Sequence, residues 1–131
     1  MVRYRVYSHA DLMAIANSVP PEVLEQVAEY FNILSNPMRL QILNLLGEEE
    51  KCVQELVEIT KTSQANVSKH LKIMLQGGII NRRPEGTSAY YYIEDSLIFE
   101  LSHLVCNHLA EKMEKQALKF RNITLAQQKK N

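Results

Sequence analysis

The sequence is poor in the residues that punctuate or staple a chain. Its 131 residues include four glycines, four prolines, two cysteines and no tryptophan. With glycine only at Gly47, Gly77, Gly78 and Gly86, there is no glycine-rich loop to cradle a phosphate. A Gly-x-Ser-x-Gly elbow and a His-Glu-x-x-His pair are missing too. An enzyme would have to rest on His103 or His108 beside a carboxylate, so no enzyme is expected. Cys52 and Cys106 are too few to frame a disulfide scaffold and are not a Cys-x-x-Cys pair, which fits a reducing compartment. No stretch free of charged side chains exceeds ten residues (12–21 and 101–110). A membrane-spanning helix needs about 20. Residues 1–9 hold no apolar run that would serve as a signal-peptide core, so a cytoplasmic chain with no membrane partner is expected. Net charge is also lacking, because 15 basic residues balance 15 acidic ones. An apolar share of 46% with 23% charged residues suits one globular domain and argues against a disordered chain.

The zero sum hides a segregation of charge. Residues 22–60 carry eight acidic and two basic side chains. Residues 61–90 carry Lys61, Lys69, Lys72, Arg82 and Arg83 against Glu85 alone. Residues 91–111 are acidic again and 112–131 are basic. A mixed solvated surface accounts for such blocks equally well unless the basic segment also has a shape that suits nucleic acid.

Periodicity supplies that shape. Residues 1–20 read as an N-terminal extension with a short helix near residues 10–16, ended by Pro20-Pro21. Val23, Leu24, Val27, Ala28, Phe31 and Leu34 recur at helical spacing and predict a helix over 21–34. Asn36 as N-cap and Pro37 at the first helical position start the next, with Gly47 as its expected stop. A third amphipathic helix begins at Cys52, with Glu55 at the capping-box position. A fourth follows Thr62-Ser63 and ends at Gly77-Gly78. Residues 79–83 and 88–93 read as strands around a turn at 84–87. Asp95-Ser96 then cap a long last helix reaching about residue 120, and a polar tail, 121–131, is expected to fray.

Two short helices joined by a few residues and followed by a hairpin make a helix-turn-helix with a β-wing. The fold class expected is mainly α with a two-stranded wing, residues 21–120 forming one winged helix-turn-helix domain; the family resemblance given below implies that this domain both binds DNA and dimerises. On the helix after Ser63, Val67, Leu71, Met74 and Leu75 share one side. Lys69 lies opposite, flanked by Ala65, Asn66, Ser68 and Lys72, with Gln64 at the start. No acidic residue occurs from Lys61 to Asn81. Amide, hydroxyl and basic side chains are the ones that pair with base edges and phosphates in the major groove. Gln64, Asn66, Ser68 and Lys69 are therefore expected to read bases, with His70 at the edge of that face. Ser63, Lys72, Arg82 and Arg83 are expected to touch phosphate or the minor groove. Arg3 and Arg5 offer two further charges. The alternative is a winged helix used only for protein contacts, which would show exposed apolar residues here. Only Ile73 fits that description.

Four stretches carry a family resemblance: residues 34–43 (LSNPMRLQIL), 51–56 (KCVQEL), 63–71 (SQANVSKHL) and 86–93 (GTSAYYYI). In order and spacing, residues 22–118 resemble the ArsR/SmtB family of winged-helix transcriptional repressors. The resemblance implies a homodimer, built through the first and last helices, that binds a partly palindromic double-stranded operator and is released by an inducer. The last helix offers Leu97, Leu101, Leu104, Val105 and His108 on one stripe and Phe99, Cys106, Leu109 and Met113 on another.

The family's metal sites are only partly kept. A Cys-Val-Cys pattern at the third helix survives as Cys52 alone, with Gln54 in the second place, and a lone thiolate is a poor soft-metal site. Cys52 is equally well read as an N-cap stand-in. A last-helix site of Asp-x-His and, across the dimer, His-x-x-Glu matches at Asp95, His108 and Glu111, but Leu97 replaces a histidine; tetrahedral zinc wants four donors, or three plus water. Capping explains Asp95 without a metal. His103 and Cys106 stand near enough in sequence to belong to a different site. The residues leave open a transition metal such as zinc, thiol oxidation at Cys52 and Cys106, or no cofactor at all, with none the favoured reading.

Overall fold

The computed structural model describes residues 6–129. Six helices and one hairpin follow in the order α1 (His9–Ser18), α2 (Pro21–Leu34), α3 (Pro37–Glu48), α4 (Val53–Thr60), α5 (Gln64–Gln76), β1 (Ile80–Glu85), β2 (Ser88–Ile93) and α6 (Ser96–Lys129). Among the described residues, no helix is long and apolar enough to cross a membrane.

The expected start signals operate. Asn36 Oδ1 accepts from the N–H groups of Met38 (2.9 Å) and Arg39 (3.2 Å), and Pro37 takes the first helical position, where no N–H is needed. Ser63 Oγ accepts from Asn66 N–H at 3.1 Å and starts α5. Lys61 closes α4 with φ 57°, a left-handed conformation, and its N–H bonds back to Val57 O at 2.9 Å. That single left-handed residue turns the chain between α4 and α5 within three residues.

Three expectations are corrected. Gly47 does not stop α3, which runs to Glu48; the glycine instead leaves room for the Phe99 ring of α6, which a Cβ would strike. The hairpin turn is shorter than 84–87: Pro84 pairs with Ala89 and Glu85 with Ser88, leaving Gly86 and Thr87 as the loop. Gly86 has φ +61°, as the first residue of a two-residue hairpin turn requires when it is the glycine. Finally, α6 passes residue 120 and continues to Lys129, so the expected tail is largely helix.

The core gathers Ile42, Leu43 and Leu46 of α3, Leu56 of α4, Val67, Leu71 and Met74 of α5, Ile79, Ile80, Tyr91 and Ile98. Lys51 extends the hairpin by exchanging backbone hydrogen bonds with Tyr91 (3.2 and 2.8 Å). Ile79 O accepts from the N–H groups of Glu94 and Asp95, both at 3.0 Å, and pins the chain where α6 begins. Asp95 then joins α6 to α2: its Oδ1 accepts from Leu97 N–H (3.1 Å) and its Oδ2 from the Tyr30 hydroxyl (3.0 Å). Burial and that carboxylate push the Tyr30 phenol up to about 12.

Arg39 is buried and ties three helices. Its Nε donates to Ile33 O at 2.6 Å and its Nη2 to Asn32 O at 3.0 Å, so a cation closes the C-terminal end of α2. Its Nη1 lies 3.4 Å from Nδ1 of buried His70 on α5. Arg39→Met should cost about 1.5–3 kcal/mol, the worth of a charged hydrogen bond, read as a shift in the denaturant midpoint; an unchanged midpoint would show the guanidinium to be dispensable. Burial, then the charges of Arg39 and Lys69, hold His70 below its ordinary 6.5. The folded state therefore binds this proton less readily than the unfolded chain. Stability from His70 is complete above pH 6.5 and is lost as pH falls through that value toward the lower folded pKa. Midpoints measured between about pH 5 and 8 should fall on the acid side in the parent and fall less in His70→Gln; equal slopes would remove His70 as the source.

Candidate nucleic-acid interface

Burying one side of α5 dictates what the other side presents. Val67, Leu71 and Met74 are fully buried and fix the roll of the helix. Gln64, Ala65, Ser68, Lys69 and Lys72 are left exposed, with Asn66 half-buried at the edge. Asn66 is held there: its Nδ2 donates to Thr62 Oγ1 at 3.0 Å. That bond uses one amide donor and orients the carbonyl oxygen and the second donor. Ser63 is exposed, and accepting from Asn66 N–H leaves its own hydroxyl proton for a phosphate.

His70 is the exception on this helix. It is 5% exposed and turned toward Arg39, not outward. Three residues after Val67 and one before Leu71, it falls on the shoulder of the apolar stripe, and the acceptor it offers to Arg39 draws it inside. It therefore drops out of the exposed face, and its role is to position α5 against α3.

The wing brings the remaining basic groups. Arg82 and Arg83 are both exposed on β1. Arg83 is engaged: its Nε meets Glu50 Oε2 at 2.7 Å and its Nη1 meets Glu85 Oε2 at 2.8 Å. Its guanidinium also lies 5.1 Å from the centre of the Tyr90 ring. The two carboxylates push its pKa up. Glu50 is 33 residues away in sequence, so no short-range pattern in the chain announces this partner. Arg3 and Arg5 lie outside the described residues.

Between α4, the start of α5 and the wing lies a cleft of about 630 Å³, lined by Cys52, Gln54, Glu58, Gln64, Thr87 and Ser88 among others. Cys52 is half-buried at the head of α4. Its thiol donates to Glu55 Oε1 at 3.2 Å and its N–H to the same oxygen at 3.3 Å. These bonds hold Glu55 below its ordinary pKa. Cys106 is an exposed free thiol on α6, a different element.

The donors considered for zinc do not converge within the chain. Both oxygens of Asp95 are engaged, by Tyr30 and Leu97. His108 and Glu111 are exposed along α6, about 20 Å or more from its start at 1.5 Å per residue. The His103 ring lies 4.3 Å from that of Phe99, tilted by 49°. Among the described residues, no three His, Cys, Asp or Glu side chains gather to hold a metal. Within one copy of the chain Asp95 therefore stays apart from His108 and Glu111.

A family profile described as "Bacterial regulatory protein, arsR family" matches residues 36–82, which span α3 to the start of the wing. The chain is 34% identical over 98 residues to a transcriptional repressor SmtB homolog from Synechocystis, covering 71% of this chain and 74% of that one. It is 36% identical over 75 residues to the arsenical resistance operon repressor of Bacillus subtilis, covering 56% and 71%. Among solved structures it resembles a homodimeric winged helix-turn-helix DNA-binding domain from Mycobacterium bovis. The TM-score there is 0.63 and the identity 34%, over 69% of this chain and 83% of that one. The wing, the start signals of α3 and α5 and these likenesses agree: the chain belongs to the arsR family of bacterial regulatory proteins.

Proposed function

We propose that the chain is a sequence-specific DNA-binding transcriptional repressor that works as a homodimer, with α5 lying in the major groove of its operator. The observation that carries this is the exposed face of α5. Gln64, Ser68, Lys69 and Lys72 stand clear of the core with no acidic residue among them. Asn66 is pre-oriented by Thr62. Residues 21–120 supply the reading head and the contacts through α2 and the first half of α6, with an extension at 1–20 and the end of α6 beyond residue 120 on either side. The apolar side chains left exposed on α2 and the first turn of α6 (Val23, Val27, Phe31 and Leu97, with half-buried Leu101, around one shallow groove) support pairing through these helices. The relatives' names support repression over activation, and a cytoplasmic location follows from that role. No catalysis is assigned.

Release by a small inducer completes the reading. The thiols support an oxidant more than the carboxylate and imidazole groups support a metal, because Cys52 faces the cleft between α4 and the wing. A protein-contact module without operator binding is the other reading, and the polar face of α5 speaks against it.

Titrating reduced, metal-free protein against DNA from upstream of its own gene, with random DNA as control, tests the function. Tight, salt-dependent binding that prefers the upstream DNA is expected; the absence of binding with and without added metal or oxidant would overturn it. Lys69→Ala should weaken operator binding by about 1–3 kcal/mol if it reads a base, and an unchanged affinity would remove α5 as the reading helix. Arg82→Ala should weaken operator and random DNA alike and reduce the salt slope by about one unit. Glu50→Gln should tighten both, because it frees Arg83 from one of its two carboxylates. Unchanged binding in Glu50→Gln would mean that Arg83 stays out of the DNA contact.

A further inference from the structure

Two helical segments find no cover within the chain. None of the ten residues of α1 is buried, although Leu12, Ile15 and Ala16 share one apolar side at helical spacing. In α6, a helix of 34 residues, only Ile98 is buried. At 1.5 Å per residue that helix is about 51 Å long, well beyond the roughly 30 Å of a small domain, so its distal half runs past its own core. There Leu109, Met113, Phe120 and Ile123 share one face, with Phe120 74% and Met113 68% exposed. Large apolar side chains in a continuous stripe of this kind mark a contact surface.

Charge says which surface meets which. Residues 6–34 hold Asp11, Glu22, Glu25 and Glu29 and no lysine or arginine. Residues 112–129 hold Lys112, Lys115, Lys119, Arg121 and Lys129 against Glu114 alone. Lys112 and Lys119 flank the distal apolar stripe, about two turns apart on the same side. Two copies of distal α6 would repel each other, whereas distal α6 and the α1–α2 segment attract. The apolar groove lined by Val23, Val27, Phe31, Leu97 and Leu101 lies between α2 and the first turns of α6.

We infer that, in the dimer, the distal half of α6 from one copy crosses to the second copy and packs its Met113–Phe120–Ile123 face on the partner's α1. This rests on the dimeric reading above and gives α1, which lies outside the family resemblance, a function as the receiver of the partner's last helix. The contact is made twice, once in each direction.

The test is a double-mutant cycle on the dimer dissociation constant, measured by sedimentation with the full chain. Phe120→Ala with Ile123→Ala should weaken the dimer at least tenfold, or about 1.4 kcal/mol. Leu12→Ala with Ile15→Ala should do the same. All four side chains are exposed in the single chain, so circular dichroism should show each variant folded. Combining the pairs should cost clearly less than the product of the two losses, because both remove one contact. Losses that simply multiply, or a loss from the α6 pair alone, would overturn the inference in favour of α6 pairing with itself. An unchanged dimer with weakened DNA binding would overturn it in favour of a basic helix that touches DNA. A parent chain that sediments as a monomer at all concentrations would instead overturn the dimeric reading itself.

Discussion

A single buried guanidinium holds the reading head to the body of the protein. Arg39 sits at the point where α2 ends, α3 begins and α5 passes. Two of its nitrogens take the last carbonyls of α2, and a third meets His70. A buried charge is costly unless every donor has a partner, and here the partners come from two other helices. The cost of leaving them is what fixes the relative placement of α2, α3 and α5. His70 must be neutral to accept from Arg39, and burial, with the guanidinium beside it, lowers its pKa in that direction. The arrangement is self-consistent only in one protonation state and one packing.

With that placement set, the surface of α5 follows from its core side. Val67, Leu71 and Met74 are pinned against Ile42, Leu43 and Leu56 in a shared cluster, so Lys69 has nowhere to point but outward. The wing is fixed in the same way by Ile79, Ile80 and Tyr91. What remains adjustable is Arg83, whose two ion pairs are both with exposed carboxylates. Surface pairs of this kind are worth at most about 1 kcal/mol, so a phosphate can displace them. Glu50 and Glu85 order the arginine side chain without locking it.

Most of this was legible in the sequence where the signal is local. Asn36-Pro37 and Ser63 announced two helix starts, and Val67, Leu71 and Met74 announced the roll of α5. Failures occurred where a distant residue decides. Gly47 looked like a stop, but Phe99 of α6 needs the space it leaves. His70 looked like the edge of the polar face, but Arg39, 31 residues earlier, draws it inside. Arg83 looked free, but Glu50 is brought beside it only by the fold. The end of α6 was placed near residue 120 because the tail is polar, yet Lys, Gln and Ala are all good helix formers, and the helix runs on to Lys129.

The same helix serves both ends of the proposed function. On one side α2 exposes Val23, Val27 and Phe31 to the groove shared with α6. On the other it hands its last carbonyls to Arg39. Its Tyr30 hydroxyl binds Asp95, the residue that starts α6. A partner that packs on α2 therefore bears on a helix joined to α5 through one side chain and to α6 through another. Packed elements with few alternative arrangements shift as units and do not deform gradually. A contact made on α2 is thus passed to α5 and to the start of α6 by the same few bonds.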